Sequence, residues 1–174
     1  MKKTISKKLR KQVYDKYGGY CAYCGTELKQ RQWQIDHIIA KNRFMADVKS
    51  AVPELVPEFL SHLTELDVNH IDNLNPSCRR CNNFKHSFDL EGFRREIGYQ
   101  LERVNKYSVN YRTAKRFGQV VETPRQVVFF FELCAPIINK GGKIFSYNGK
   151  IISFIIDGKE HWIHREEAEK RFNF

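Results

Sequence analysis

Cys78-Arg79-Arg80-Cys81-Asn82-Asn83-Phe84-Lys85-His86 joins a two-cysteine knuckle to the opening of a helix. Cys21-Ala22-Tyr23-Cys24 offers the same spacing earlier in the chain, with 53 residues between the two knuckles. Each pair sets two thiolates on one tight turn, and two such turns can surround a tetrahedral Zn²⁺ with bonds of ~2.3 Å. Gly25, directly after the first knuckle, supplies the permissive backbone that such turns favour. A redox Cys-x-x-Cys, or two disulfides, would leave the repetition unexplained. Cys134 lies outside the pattern in an apolar stretch and reads as a buried structural thiol.

Working outward, Lys7 to Tyr17 reads as a short helix, with Leu9, Val13 and Tyr17 spaced by four and Gly18-Gly19 stopping it. Trp33 to Ile39 is aromatic and β-branched and reads as a strand. Residues 44–70 differ from their surroundings, with five acids (Asp47, Glu54, Glu58, Glu65, Asp67) against Lys49. Leu55, Phe59, Leu60, Leu63 and Leu66 recur there at helical spacing, with Pro57 near a helix start, which predicts a helical insertion. From Asn82 the chain reads as helix, and Phe93, Ile97, Leu101 and Val104 make a stripe within Leu90 to Tyr107. Tyr111 to Phe117 is a further helix ended by Gly118, and Val127 to Glu132 reads as a strand. Turn signals Asn148-Gly149 and Asp157-Gly158 divide Lys143 to His164 into a three-stranded meander. Arg165 to Phe172 closes the chain as a short helix.

The 174 residues suit one domain with a small appendage, and 41% hydrophobic and 13% aromatic content can fill a core. No apolar run approaches the ~18–20 residues of a membrane helix, so no membrane partner is expected. The basic start Met1-Lys2-Lys3-Thr4-Ile5-Ser6 is followed by no apolar region of a secretory signal. Five cysteines in a chain this long exclude a secreted disulfide scaffold. Net charge of +10 points to a polyanionic partner, nucleic acid ahead of membrane.

Three local signals surround the knuckles: Ile35-Asp36-His37-Ile38 on the predicted strand, Asp72-Asn73-Leu74-Asn75 before the second knuckle, and Asn82-Asn83-Phe84-Lys85-His86 after it. In order and spacing, Leu9 to Phe88 resembles the HNH endonucleases, the ββα-metal or His-Me finger nucleases, in the subgroup braced by four cysteines. The fold that the resemblance implies is α+β. It has a zinc-braced ββα-metal (HNH) finger with a helical insertion at 44–70, flanking helices and a small C-terminal β-meander. The nuclease domain would span 1–132, with its finger core at about 9–88, and a β-rich extension would span 133–174.

Asp36 and His37, adjacent on a strand, point to opposite sides. Asn82 and His86, at i and i+4 on a helix, share a face that could complete a metal site opposite Asp36. A neutral imidazole at His37 can take a proton near pH 7. By resemblance, His37 activates water, while Asp36, Asn82 and His86 hold a divalent ion, Mg²⁺ or Mn²⁺, separate from the structural zinc of Cys21, Cys24, Cys78 and Cys81. The family's middle asparagine maps to Asn73, which either caps the turn before the knuckle or orients His37. Outside the family context His37 reads as a structural histidine, and His86 as a surface residue or a phosphate contact. His62 and His70 read as solvated residues of the insertion. His161 and His164 face opposite sides of a strand and so do not suggest a metal site.

The implied reaction is hydrolysis of DNA phosphodiester bonds leaving 5′-phosphate and 3′-hydroxyl ends, in a cytoplasmic enzyme of prokaryotic or phage origin. Lys41, Arg43, Arg79, Arg80 and Lys85 are candidate phosphate contacts, which position a backbone without reading sequence. Lys2, Lys3, Lys7, Lys8, Arg10 and Lys11 either track a groove or keep the tail soluble. Arg94, Arg95 and Arg103, interleaved with Glu91, Glu96 and Glu102, read as a solvated helix face, and Arg112, Lys115 and Arg116 extend that basic region. Residues 44–70 sum to −4, which leaves +14 on the rest and makes the insertion the part least suited to DNA. Two other classes fit the basic composition: a non-catalytic zinc-braced nucleic-acid-binding module, and a structure-specific or RNA-acting nuclease. The sequence has no heptad or readable interface to decide between monomer and homodimer.

Overall fold

The computed structural model describes residues 5–29, 32–50, 52 and 55–171. Lys2, Lys3, Glu54 and Phe172, used in the sequence reading, lie outside them. The chain is a mixed α+β protein with its four knuckle cysteines gathered in one cluster. Helix α1 (Lys7–Asp15) starts at Ser6, whose hydroxyl accepts the Leu9 N–H at 3.1 Å. Its Val13 is fully buried, and Gly18 and Gly19 take positive φ to end it.

Strand β1 (Trp33–His37) pairs antiparallel with β2 (Leu74–Cys78), placing Trp33 opposite Cys78 and Asp36 opposite Asn75. Residues Leu74-Asn75-Pro76-Ser77-Cys78 carry little β propensity, and no strand is expected there from sequence. Pairing is possible because a two-stranded ladder leaves each strand an outer edge, where a proline's missing N–H is harmless. The Pro76 carbonyl accepts from Ala22 N–H at 2.8 Å, tying the first knuckle to β2. Half-buried Lys16 donates to the Ile71 and Leu74 carbonyls at 3.2 and 3.1 Å, fixing the exit of α1 to the start of β2.

Helix α3 (Arg79–Lys85) follows β2 without a loop, its N-cap being Cys78. Between the two strands lies α2 (Phe44–Ser50), and residues 55–70 then hold one 3₁₀ turn, Glu58–Leu60, rather than the expected longer helix. Pro57 lacks an N–H and disfavours α geometry at Val56. Leu60 and Leu63 are buried there while Phe59 and Leu66 are exposed, so the apparent stripe does not face one side.

The helix expected over Leu90 to Tyr107 is split into α4 (Leu90–Gly98) and α5 (Gln100–Tyr107), and the separate helix expected at Tyr111 to Phe117 is α6 (Val109–Arg116). Asp89 and Ser108 are side-chain N-caps of α4 and α6.

The expected strand at 127–132 is replaced by α7 (Phe130–Ile138). The first knuckle explains the change. Carbonyls of Tyr23 and Ala22 accept the N–H groups of Phe130 and Phe131 at 3.0 and 2.7 Å, and Glu132 accepts the Phe129 N–H at 2.7 Å. Donors that end most helices unpaired are thus met by a distant loop and a local carboxylate. Helix α7 crosses the 132/133 position, and one apolar cluster runs from Val13 to Ala168. Cys134 is buried in it.

The tail forms the expected antiparallel meander, β3 (Lys143–Tyr147), β4 (Ile151–Ile156) and β5 (Lys159–His164), followed by α8 (Arg165–Arg171). Tyr147 of β3 rests on the first knuckle. A Cβ at Gly25 would lie 2.3 Å from its ring, and Gly25 has φ +69°. Both facts require glycine there. Among the described residues, no helix is long and apolar enough to cross a membrane.

Candidate metal centre and groove

Cys21 and Cys24 sit on the loop after α1, Cys78 at the end of β2 and Cys81 in the first turn of α3. One ligand atom from each lies within 4.8 Å of the others. The Cys24 and Cys78 sulfurs are 3.9 Å apart. A tetrahedron with ~2.3 Å metal–sulfur bonds has edges of roughly 3.8 Å, so this spacing suits an ion such as zinc. The thiols share protons unevenly. Hydrogen bonding from Cys21 holds Cys24 far below the ordinary thiol range and brings Cys78 down to about 6, while Cys21 is raised by its bonds to the other three.

Strand β1 and helix α3 line an open groove of about 790 Å³. Asp36, His37, Asn82 and His86, named from sequence, all line it, together with Lys41, Gln34 and Arg10. The Asp36 carboxylate is buried. Its Oδ2 accepts from the Tyr23 hydroxyl and pairs with Lys85 Nζ at 3.2 Å. Burial raises the Asp36 carboxyl above its ordinary range, and the Lys85 charge opposes that rise. Lys85 is fully buried and also donates to the His37 carbonyl at 2.9 Å. It therefore cannot contact phosphate, contrary to the sequence expectation. Its place in the last turn of α3 points it inward beneath β1.

His37 Nε2 lies 3.0 Å from Asn69 Oδ1. Donation to that oxygen puts the proton on Nε2 and leaves the lone pair on Nδ1. Burial, acting first, pushes the imidazole down from 6.5 to about 4, so it is neutral near pH 7. Asn69 is missing from the sequence reading. Only its position beside a loop histidine marks it, and no motif signals it. Asn73 is fully buried. Its Oδ1 accepts the Ile39 N–H at 2.8 Å, and its Nδ2 donates to the Ile39 and Val68 carbonyls at 3.3 and 3.0 Å. Asn73 is thus a brace for the chain just after His37, while the direct partner of the imidazole is Asn69.

Asn82, which lines the groove, donates Nδ2 to Gln34 Oε1 at 2.7 Å, a bond that does not use its carbonyl oxygen. His86 is not in the helix. It is the C-cap, at φ +49°, with Nδ1 3.0 Å from Ser87 Oγ. Asn82 and His86 still line the same groove. Among the described residues, Asp36, His37 and His86 do not gather their ligand atoms within 4.8 Å as the four cysteines do.

Lys41 is exposed on the groove. Arg43, partly exposed, bonds Asp47 at 2.7 Å and the Ser87 carbonyl at 3.2 Å, which ties the start of α2 to the loop after α3. Arg79 and Arg80 are exposed beside the knuckle but do not line the groove. Arg10 lies over the Trp33 ring, 4.1 Å from its centroid, at the groove's edge.

Comparisons with protein-family models, with curated proteins and with solved structures give no match to this chain.

Proposed function

We propose that the chain is a metal-dependent endonuclease of the HNH type, a zinc-braced ββα finger that hydrolyses DNA phosphodiester bonds. The observation that carries this reading is the convergence of Asp36, His37, Asn82 and His86 on one basic-edged groove, reached from strand β1 and from helix α3 with its C-cap, beside the four-cysteine cluster. The donor set is a carboxylate, an amide oxygen and an imidazole, which suits a hard divalent ion. Asn82 fits that role because its nitrogen is engaged by Gln34. Asp36, Asn82 and His86 would hold Mg²⁺ or Mn²⁺, which supplies charge stabilisation for the developing phosphorane and leaving oxygen.

The chain's own groups do the rest. Asn69 fixes the tautomer of His37, and burial keeps it neutral. His37 Nδ1 then takes the proton of a water whose oxygen attacks phosphorus. The bond to the 3′ oxygen breaks and that oxygen takes a proton from solvent water, giving 5′-phosphate and 3′-hydroxyl ends. Lys41 and Arg10 hold the phosphate backbone over the groove.

A second reading, a non-catalytic nucleic-acid-binding module, is favoured by one observation. Asp36 Oδ2 is already engaged by Tyr23 and Lys85. Plasmid nicking with Mg²⁺ or Mn²⁺ separates the two, run on wild type and His37→Ala with zinc content measured alongside. Cleavage that needs added metal, and falls ~10²–10⁴-fold in His37→Ala, supports the nuclease. DNA binding with no cleavage in either metal supports the module. Parallel duplex, single-stranded, branched and RNA substrates identify a structure-specific or RNA-acting nuclease.

A further inference from the structure

His62 and His70 lie between the 3₁₀ turn Glu58–Leu60 and a second one at Ile71–Asn73, and Asp72 lies within the second turn. Sequence alone assigns both histidines to solvent. In the structure, one carboxylate oxygen, Asp72 Oδ2, lies 3.0 Å from His62 Nε2 and 3.5 Å from His70 Nδ1. One ligand atom from each residue lies within 4.8 Å of the other two. Tetrahedral coordination with ~2.0–2.1 Å bonds to nitrogen and oxygen has edges of roughly 3.3 Å, and the two observed separations bracket that value. The imidazole rings are nearly perpendicular, with centroids 5.7 Å apart, so the pair is not a stacked contact.

The loop is held for this purpose before any ion arrives. Leu60 and Leu63, on either side of His62, are buried. Asp67 Oδ2 accepts both the backbone N–H and the hydroxyl of Thr64, at 2.9 and 2.6 Å. The His70 N–H then bonds the Asp67 carbonyl at 2.8 Å, and the Asn73 N–H bonds the His70 carbonyl at 3.0 Å. His70 Nδ1 receives only a long 3.3 Å contact from the Asp72 N–H, which an ion can displace.

We propose that His62, His70 and Asp72 form a second metal site, separate from the four cysteines and from the groove. It would take a borderline divalent ion such as Zn²⁺ and leave a coordination position open to water or an anion. Two imidazoles and a carboxylate are the ligands of choice for such an ion, and three protein ligands define an open rather than a closed site. The proposal does not rest on the nuclease reading.

The test is zinc binding by the full chain with its cysteine site already filled, in excess Mg²⁺, followed by calorimetry and metal analysis. Wild type is expected to take a further equivalent of Zn²⁺. His62→Ala, His70→Ala and Asp72→Asn should each weaken that step at least about tenfold, since losing a ligand exceeds the effect of losing an outer-shell partner. His86→Ala should leave it unchanged. Cobalt provides a check: the cysteine site gives thiolate charge-transfer bands, and the second site adds only visible ligand-field bands, lost in His62→Ala. Absence of the further equivalent in wild type overturns the proposal. So does its survival in both histidine variants, or its loss in His86→Ala instead.

Discussion

Lys85→Met isolates the ion pair under the groove. The substitution keeps length and apolar volume while removing the charge and two hydrogen bonds, to Asp36 and to the His37 carbonyl. Both charges are buried, Lys85 completely and Asp36 to 6% exposure, so solvent cannot replace the lost partner. A stranded buried carboxylate takes a proton instead. At pH 7 that protonation costs at most about 1.36 × (7 − 3.9), or about 4 kcal/mol, relative to an unfolded carboxylate at pKa ~3.9, and wild type, whose Asp36 carboxyl burial already raises, carries part of it. At pH 5 the same expression gives about 1.5 kcal/mol. The sign follows from proton counting. In the variant the folded state holds a proton that the unfolded state releases above its pKa, so the variant loses stability as pH rises.

The unpaired His37 carbonyl adds a pH-independent penalty of about 1 kcal/mol or more. Urea denaturation of zinc-loaded wild type and variant at both pH values gives the difference directly. Asp36→Asn combined with Lys85→Met should recover a substantial part of the loss at pH 7, because it deletes the stranded charge. A loss under about 1 kcal/mol at pH 7, or an equal loss at pH 5 and pH 7, would refute the argument that this pair is buried and mutually required.

Removing the cysteine-bound metal with a strong chelator should collapse near-UV dichroism, since zinc binding of about 10–16 kcal/mol is comparable with or exceeds a domain's whole stability of about 5–15 kcal/mol. Retention of the native spectrum with metal absent by analysis would contradict this. On the nuclease reading, Asn69→Ala should slow metal-dependent cleavage about tenfold or more while changing urea stability by only about 1 kcal/mol, because it frees the imidazole to adopt the wrong tautomer. An unchanged rate would remove Asn69 from the mechanism. The pH–rate profile should show its acidic limb well below 6.5, towards the lowered His37 value of about 4, with activity rising as the imidazole deprotonates. A limb at or above 6.5 would contradict the buried, neutral base.

The elements that repeat themselves were the legible ones. Four cysteines at matched spacing, and apolar runs divided by Asn-Gly and Asp-Gly turns, are each where the residues place them. Misread segments depend on distant partners. Strand β2 exists because β1 and the first knuckle supply its bonds, although Asn75 and Pro76 disfavour it. Phe129-Phe130-Phe131 has strand composition, yet the Ala22 and Tyr23 carbonyls start a helix there. The groove residues could be named from short motifs, but their partners could not. Lys85 turns inward and Asn69 comes from an irregular loop without periodicity, so neither pairing leaves a trace in spacing.

Cys21-Ala22-Tyr23-Cys24 is a stretch with no spare position. The cysteines belong to the metal cluster, the Ala22 and Tyr23 carbonyls start α7, and the Tyr23 hydroxyl meets Asp36 while its ring packs against Phe93 and Phe129. These obligations meet within one turn of chain, so they fail together. An ion held by the four cysteines would fix this turn, and release of the turn would withdraw a donor from the groove's carboxylate and two acceptors from a helix far along the chain. One fastening at the knuckle would thus serve three parts of the molecule, and its loss would be felt in all three together rather than in one.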